Sequence, residues 1–240
     1  MERLPPRLTR LAFFEGGDPA MLARAEAEAR IVAFDAQETV LDFDCPSTDV
    51  RVVLRGGPLR VLMRTSGGRE KIVAEVGAGA FVGELAAFAG PAHPPSAGIR
   101  AVHRTVVAVL PGVVFVELVL ASPPLGRRLI AVLAERVRSQ NRRLLEYAAL
   151  PTRPRLCAEL LRLARPRPPE AGGGLAVFPP PPRLELAARI GARREAVSRD
   201  LADLVRAGLL QIGPRAIVLL DEAALRAEVE TAMEAAKRLL

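Results

Sequence analysis

The chain has 240 residues, half of them hydrophobic and a quarter charged, which is material for one large domain or two small ones and excludes a disordered or collagen-like chain. Formal net charge is +7, and all 34 basic residues except Lys71 and Lys237 are arginine. One Tyr, eight Phe and no Trp argue against the aromatic platforms of single-stranded nucleic-acid binders.

The opening stretch, Met1-Glu2-Arg3-Leu4-Pro5-Pro6, lacks the apolar run of a secretory leader. Cys45 and Cys157 fit neither a disulfide framework nor a metal spacing, so the expectation is a cytoplasmic protein without a metal. Residues 20–30 are a short helix by composition. From Arg30 to Leu110 the texture changes to β-branched runs (Arg51-Val-Val-Leu, Arg60-Val-Leu-Met, Lys71-Ile-Val-Ala, Val106 to Leu110) with glycine turns at 56–58, 66–68 and 77–79. No helix-length segments alternate with them, so they predict an antiparallel sandwich or jelly roll, not a doubly wound sheet. Val106 to Ala121 is the most membrane-like run. Pro111, Gly112 and Glu117 interrupt it, and it falls short of the about 18 apolar residues of a span. It reads as two buried strands, or a strand and a short helix.

After Ser122-Pro123-Pro124, a helix is predicted from Leu125 to Tyr147. Ile130, Leu133, Val137, Gln140, Leu144 and Tyr147 recur at alternating spacings of three and four. That period is the seam of a parallel homodimeric coiled coil, or the buried stripe of an amphipathic helix packed on its own domain. Gln140, with Asn141 beside it, puts a polar side chain in the seam, where it sets register, binds something or is tolerated. Leu150-Pro151-Thr152-Arg153-Pro154 breaks the helix as a hinge, and Arg155 to Ala164 is helical again. A Pro- and Gly-rich loop over 166–182 surrounds a short strand at 175–178. Gly172-Gly173-Gly174 lacks the Gly-Lys-Ser/Thr of a phosphate loop and is a turn.

Residues 183–210 carry the strongest functional signal. Leu186, Ala187 and Ile190 make one apolar face, Gly191 is a turn glycine, and Val197, Leu201 and Leu204 make the next face. Two helices joined in this way form a helix-turn-helix, and an apolar strand at 216–219 after Gly213-Pro214-Arg215 supplies a wing. The second helix presents Arg193, Arg194, Glu195, Ser198 and Arg199 at the end where a recognition helix meets base edges. Arginine chelates guanine O6 and N7, and glutamate accepts from cytosine N4. Charge agrees: residues 1–120 are near neutral, residues 121–150 carry six arginines against two acids, and 151–220 carry twelve against six.

With Gly79-Ala-Phe-Val-Gly-Glu-Leu-Ala86 and Arg183 to Leu210 in place, the chain resembles the cyclic-AMP receptor protein/FNR family of bacterial transcription regulators over nearly its whole length. The resemblance implies an α+β fold: an N-terminal cyclic-nucleotide-binding β-roll over 1–122, a dimerisation helix and hinge over 123–150, and a C-terminal winged helix-turn-helix over 151–240. Arg194-Glu195 with Arg199 matches the Arg-Glu-x-x-x-Arg pattern of the cyclic-AMP-dependent branch, which implies TGTGA-like half-sites in a two-fold symmetric operator on double-stranded DNA. The resemblance also assigns an effector pocket to Gly83, Glu84, Leu85 and Ser96, with Gln140 and Asn141 presented to a base. Pro95 stands where the family's phosphate-binding arginine belongs, and proline has neither charge nor donor. His93 and Arg100 are poor replacements by position.

The expectation is therefore a regulator responding to another small effector or to none, with no required cofactor and with cyclic-AMP dependence as the alternative. A non-specific architectural DNA binder is the reading from another class. The family's iron–sulfur branch is excluded because residues 1–44 hold no Cys, and a haem sensor would have only His93 and His103. Those two histidines and the absence of a Gly-x-Ser-x-Gly or a phosphate loop also argue against an enzyme. Cys157 is a redox-responsive thiol or a small core residue. The segment 221–240 covers the DNA-binding domain, extends the dimer contact or touches RNA polymerase.

Overall fold

In the computed structural model, which describes residues 7–43, 45–64, 68, 70–90, 97–168 and 172–238, the chain divides into two compact units, 1–136 and 137–240. The N-terminal unit opens with two 3-10 turns and helix α1 (Pro19–Glu28), followed by strands β1 (Arg30–Phe34), β2 (Thr39–Leu41), β3 (Val50–Gly56), β4 (Leu59–Arg64), β5 (Glu70–Val76) and β6 (Phe81–Val82). Helix α2 (Glu84–Ala89), strands β7 (Gly98–Ala101) and β8 (Thr105–Leu110), helix α3 (Gly112–Ala121) and the start of helix α4 (Pro123–Ala149) complete it. The Val106–Ala121 run is thus a strand followed by a helix.

The strands form two antiparallel sheets, ordered β1-β8-β3-β6 and β2-β7-β4-β5. Alternation along β3 and β8 explains the layering. Val50, Val52 and Leu54, with Ala108 and Leu110, join Phe14, Phe115 and Leu118 in one core, on the helical side. Val53, Val107 and Val109 join Leu41, Leu59, Ile99 and Ala101 in a second core between the sheets. A period of two sends successive side chains to opposite faces, so strands buried on both faces read as continuous apolar runs. Asp18 starts α1 by accepting from the Met21 N–H at 2.9 Å, with Pro19 in the first turn where its missing N–H costs nothing. The Asp18 N–H donates to the buried Ser122 Oγ at 2.8 Å, tying that start to the segment between α3 and α4.

The C-terminal unit contains the rest of α4, then helix α5 (Thr152–Leu163), strands β9 (Arg165–Pro166) and β10 (Leu175–Val177), helices α6 (Arg183–Ile190) and α7 (Arg194–Arg206), strands β11 (Leu210–Ile212) and β12 (Ile217–Leu219), and helix α8 (Glu222–Lys237). A small antiparallel sheet, β11-β12-β10-β9, packs with α5, α6, α7 and α8 around Leu156, Leu160, Leu186, Val197, Leu204 and Leu225.

Three boundaries differ from the sequence reading. The hinge shrinks to Leu150-Pro151, because Pro154 lies in the first turn of α5, where a proline is tolerated. The second helix of the pair ends at Arg206, and Leu210 begins the wing's first strand, a boundary that lies inside the single 183–210 run of the sequence. The segment 123–150, set off as one piece by its helical pattern, is shared between the units: Leu125 and Leu129 are buried in the N-terminal core.

Candidate nucleic-acid interface and effector site

Gly191 ends α6 with φ +62° and ψ 40°, the left-handed conformation that costs a side chain energy and suits glycine. The chain then turns extended at Arg193, the N-cap of α7. Leu186, Ala187 and Ile190 from α6 and Val197, Leu201 and Leu204 from α7 are buried together. That packing leaves Arg193, Arg194, Glu195 and Arg199 exposed and Ser198 half-buried at the N-terminal end of α7. The five residues expected to read DNA are therefore gathered on one helix end. Strands β11 and β12 pair from Leu210↔Leu219 to Ile212↔Ile217, and the Gly213 N–H closes their turn on the Ala216 carbonyl at 2.9 Å. Arg215 is exposed on that turn, and Arg183 is exposed at the start of α6.

Sequence reasoning missed what holds α6. Tyr147 on α4 donates its hydroxyl to the Arg189 carbonyl, and burial raises the Tyr147 phenol above its ordinary range. Arg155 on α5 donates to the Ile190 carbonyl at 3.0 Å. These cationic and hydroxyl donors satisfy carbonyls that a helix C-terminus leaves open. Nothing local in the sequence links residues 35 and 42 positions apart.

In the N-terminal unit, Gly83 has φ +97°, and a Cβ there would stand 2.5 Å from the Asp49 carbonyl oxygen, so this position requires glycine. The next residue, Glu84, is buried, and its Oε1 accepts from Arg136 Nη1 at 2.5 Å. Arg136 Nη2 also donates to the Phe81 carbonyl at 2.6 Å. Arg136 is another residue that sequence reasoning missed: it lies outside the seam pattern, 52 positions from its partner. Leu85 is exposed, as are Gln140 and Asn141 on α4, while Pro95, Ser96 and His93 lie outside the described residues. Arg100 lies on β7, where its Nη1 is 3.4 Å from Glu70 Oε2.

Along α4, Ile130, Val137 and Leu144 are 68%, 58% and 67% exposed, Gln140 is exposed, and Leu133 and Tyr147 are half-buried. Cys157 is fully buried in the C-terminal core, and burial pushes its thiol up to about 12. That environment is the small core residue rather than an activated thiol. Among the described residues, no group of three or more His, Cys, Asp or Glu is placed to hold a metal, and no helix is long and apolar enough to cross a membrane.

A cyclic-nucleotide-binding-type β-roll followed by a winged helix-turn-helix defines a DNA-binding transcription regulator. Comparison with known proteins agrees. Residues 31–122 match the cyclic nucleotide-binding domain model and residues 154–228 the Crp-like helix-turn-helix domain model. The cyclic AMP receptor protein of Thermus thermophilus is 30% identical over 177 residues, covering 74% of this chain and 77% of that protein. The CRP-like cAMP-activated global transcriptional regulator of Mycobacterium tuberculosis is 26% identical over 219 residues, 89% of this chain and 94% of that protein. The crystal structure of a CRP/FNR-family transcriptional regulator from Thermus thermophilus is similar with a TM-score of 0.66 at 25% identity, over 84% of this chain and 98% of that one. The chain belongs to the CRP/FNR family of transcription regulators. These relatives are regulators of transcription, not enzymes.

Proposed function

We propose that this protein is a homodimeric, sequence-specific regulator that reads a palindromic operator with Arg193, Arg194, Glu195, Ser198 and Arg199, and that it works on an effector other than cyclic AMP or without one. The observation that carries the DNA reading is the exposure of three arginines and a glutamate at the N-terminal end of α7, on a helix whose other face is buried. Dimerisation through α4 is supported by Ile130, Val137 and Leu144, apolar residues seven positions apart that a lone chain leaves in water. Double-stranded DNA and a second copy of the chain are the partners, with RNA polymerase as a further one and the cytoplasm as the working compartment.

Independence from cyclic AMP rests on Pro95, which cannot supply the charged donor a cyclic phosphate needs. The second reading, a cyclic-AMP-dependent regulator, is favoured by the Thermus and Mycobacterium relatives, both named for cyclic AMP. The Gly83-Glu84-Leu85 segment is common ground for both readings.

Fluorescence anisotropy tests these readings, at one fixed salt concentration, with and without cyclic AMP. The probes are a TGTGA palindrome, a duplex enriched by the protein from a randomised pool, and a scrambled duplex. The expected result is preference for the enriched duplex by about 10³-fold or more over the scrambled one, without nucleotide. Selectivity only with cyclic AMP replaces the first reading by the second. Equal affinity for every duplex makes the protein an architectural DNA binder.

A further inference from the structure

We infer that Glu159 is a positioning residue for operator recognition: a buried carboxylate through which the last turns of α4 set the seat of α6, and with it the start of the recognition helix α7. The inference rests on the DNA-binding reading and adds to it a role for residues other than the five candidate DNA readers.

Glu159 lies on α5 and its side chain is 1% exposed. It meets guanidiniums from three helices: Arg143 of α4 at 3.4 Å, Arg162 of α5 at 3.0 Å and Arg189 of α6 at 3.4 Å. Two further carboxylates share the charge. Arg162 pairs with Glu146 of α4 at 2.8–2.9 Å, and Arg189 with Glu185 of α6 at 2.9–3.1 Å. Three guanidiniums thus face three carboxylates among these described contacts. Arg189 is nearly as buried as Glu159, with 4% of its side chain exposed, so these carboxylates take the place of water around it.

The placement of these charges gives them a positioning role. Apolar packing tolerates sliding, whereas charge-assisted hydrogen bonds are directional and can hold one register. Helix α6 has eight residues, and its buried apolar side chains face the core through Leu186, Ala187 and Ile190. Its other anchors are polar and come from outside the helix pair: Tyr147 and Arg155 at the Arg189 and Ile190 carbonyls, and Glu159 at the Arg189 side chain. Arg155 also lies over the Tyr147 ring, 5.9 Å from its centroid, joining the two carbonyl anchors. All of them act within two residues of Gly191, the turn from which Arg193, Arg194 and Glu195 are projected. A small rotation of α6 would shift those three side chains against the base edges they must meet.

The test uses the full-length chain and its variants Glu159→Gln, Arg143→Gln and the double variant, each read for thermal stability and for affinity toward the self-enriched and scrambled duplexes. Glu159→Gln is expected to lower affinity for the enriched duplex about tenfold while binding to scrambled DNA changes little. Arg143→Gln alone acts in the same direction and serves if Glu159→Gln does not fold. The double variant restores the balance of charge, so its melting temperature is expected to recover while selectivity stays low, because the α4 link is still missing. Recovery of both stability and selectivity in the double variant overturns the inference, as does unchanged selectivity in Glu159→Gln or Arg143→Gln. A wild-type chain that binds both duplexes alike overturns the DNA-reading proposal itself, and a selective wild type whose variants stay selective overturns only this one.

Discussion

Glu84 and Arg136 are 52 residues apart in sequence and meet at 2.5 Å, with 4% of the Glu84 side chain and 33% of the Arg136 side chain exposed. The carboxylate follows Gly83 out of its tight turn and starts α2, while the guanidinium reaches it from α4 and also holds the Phe81 carbonyl. The same arginine lies over the Phe81 ring, 5.4 Å from its centroid. An effector recognised by Glu84 would therefore meet a carboxylate that already has a cationic partner.

Removing that partner strands a buried charge. Arg136→Leu is expected to destabilise the protein by about 1–3 kcal/mol, because the Glu84 carboxylate loses a charge-assisted bond and does not regain water. Glu84→Gln in the Arg136→Leu background should recover part of the loss. Urea denaturation of wild type and both variants measures the two effects.

Arg194→Ala and Arg199→Ala should each weaken binding to the enriched duplex by about 1–3 kcal/mol and relax the base preference at one position per half-site. Anisotropy titrations against single-base variants of that duplex make the comparison. Uniform weakening across all variants, with a shallower salt dependence, would place the residue on phosphate instead.

Asp200 on α7 has a buried Oδ2 without a hydrogen-bond partner among the described residues, and burial raises its carboxyl above the usual range, ahead of the lowering by Arg199 and Arg153. A raised pKa means that the folded chain holds this proton more tightly than the unfolded one. Its stabilising contribution is therefore complete below the unfolded value, about 3.9, and is lost as pH rises through the higher folded value. Wild type should gain stability relative to Asp200→Asn as pH falls through that window, measured by denaturation at a series of pH values.

Cys157 should be silent toward thiol reagents in the native protein at about pH 8, since a thiol raised to about 12 carries almost no thiolate and is sealed in the core. Labelling read by mass spectrometry is expected to modify Cys45, which is half-buried, and to reach Cys157 only in denaturant. Prompt native labelling of Cys157, with loss of DNA binding, would restore a redox role.

Much of this architecture is legible in the sequence because its determinants are local. The β-branched, nearly continuous apolar runs at Val50 to Leu54 and Val106 to Leu110 mark strands with two buried faces. Spacings of three and four mark α4, and a glycine between the Leu186–Ile190 and Val197–Leu204 faces marks the helix-turn-helix. Each of these signals lies within one element or one turn, where neighbours along the chain are neighbours in space. They set the fold class and placed the five candidate DNA-reading residues on one helix end.

Only the tertiary structure decided which charges face each other. Arg136 reaches Glu84, Tyr147 reaches the Arg189 carbonyl, and Glu159 is shared by arginines of three helices. In a chain whose cations are nearly all arginine, composition offers each carboxylate many equivalent partners. Packing brings a particular one to within hydrogen-bond distance and removes the water that would otherwise make the choice indifferent. Burial decides in the same way for Cys157, whose spacing allows a reactive thiol or a core residue and whose surroundings make it a core residue.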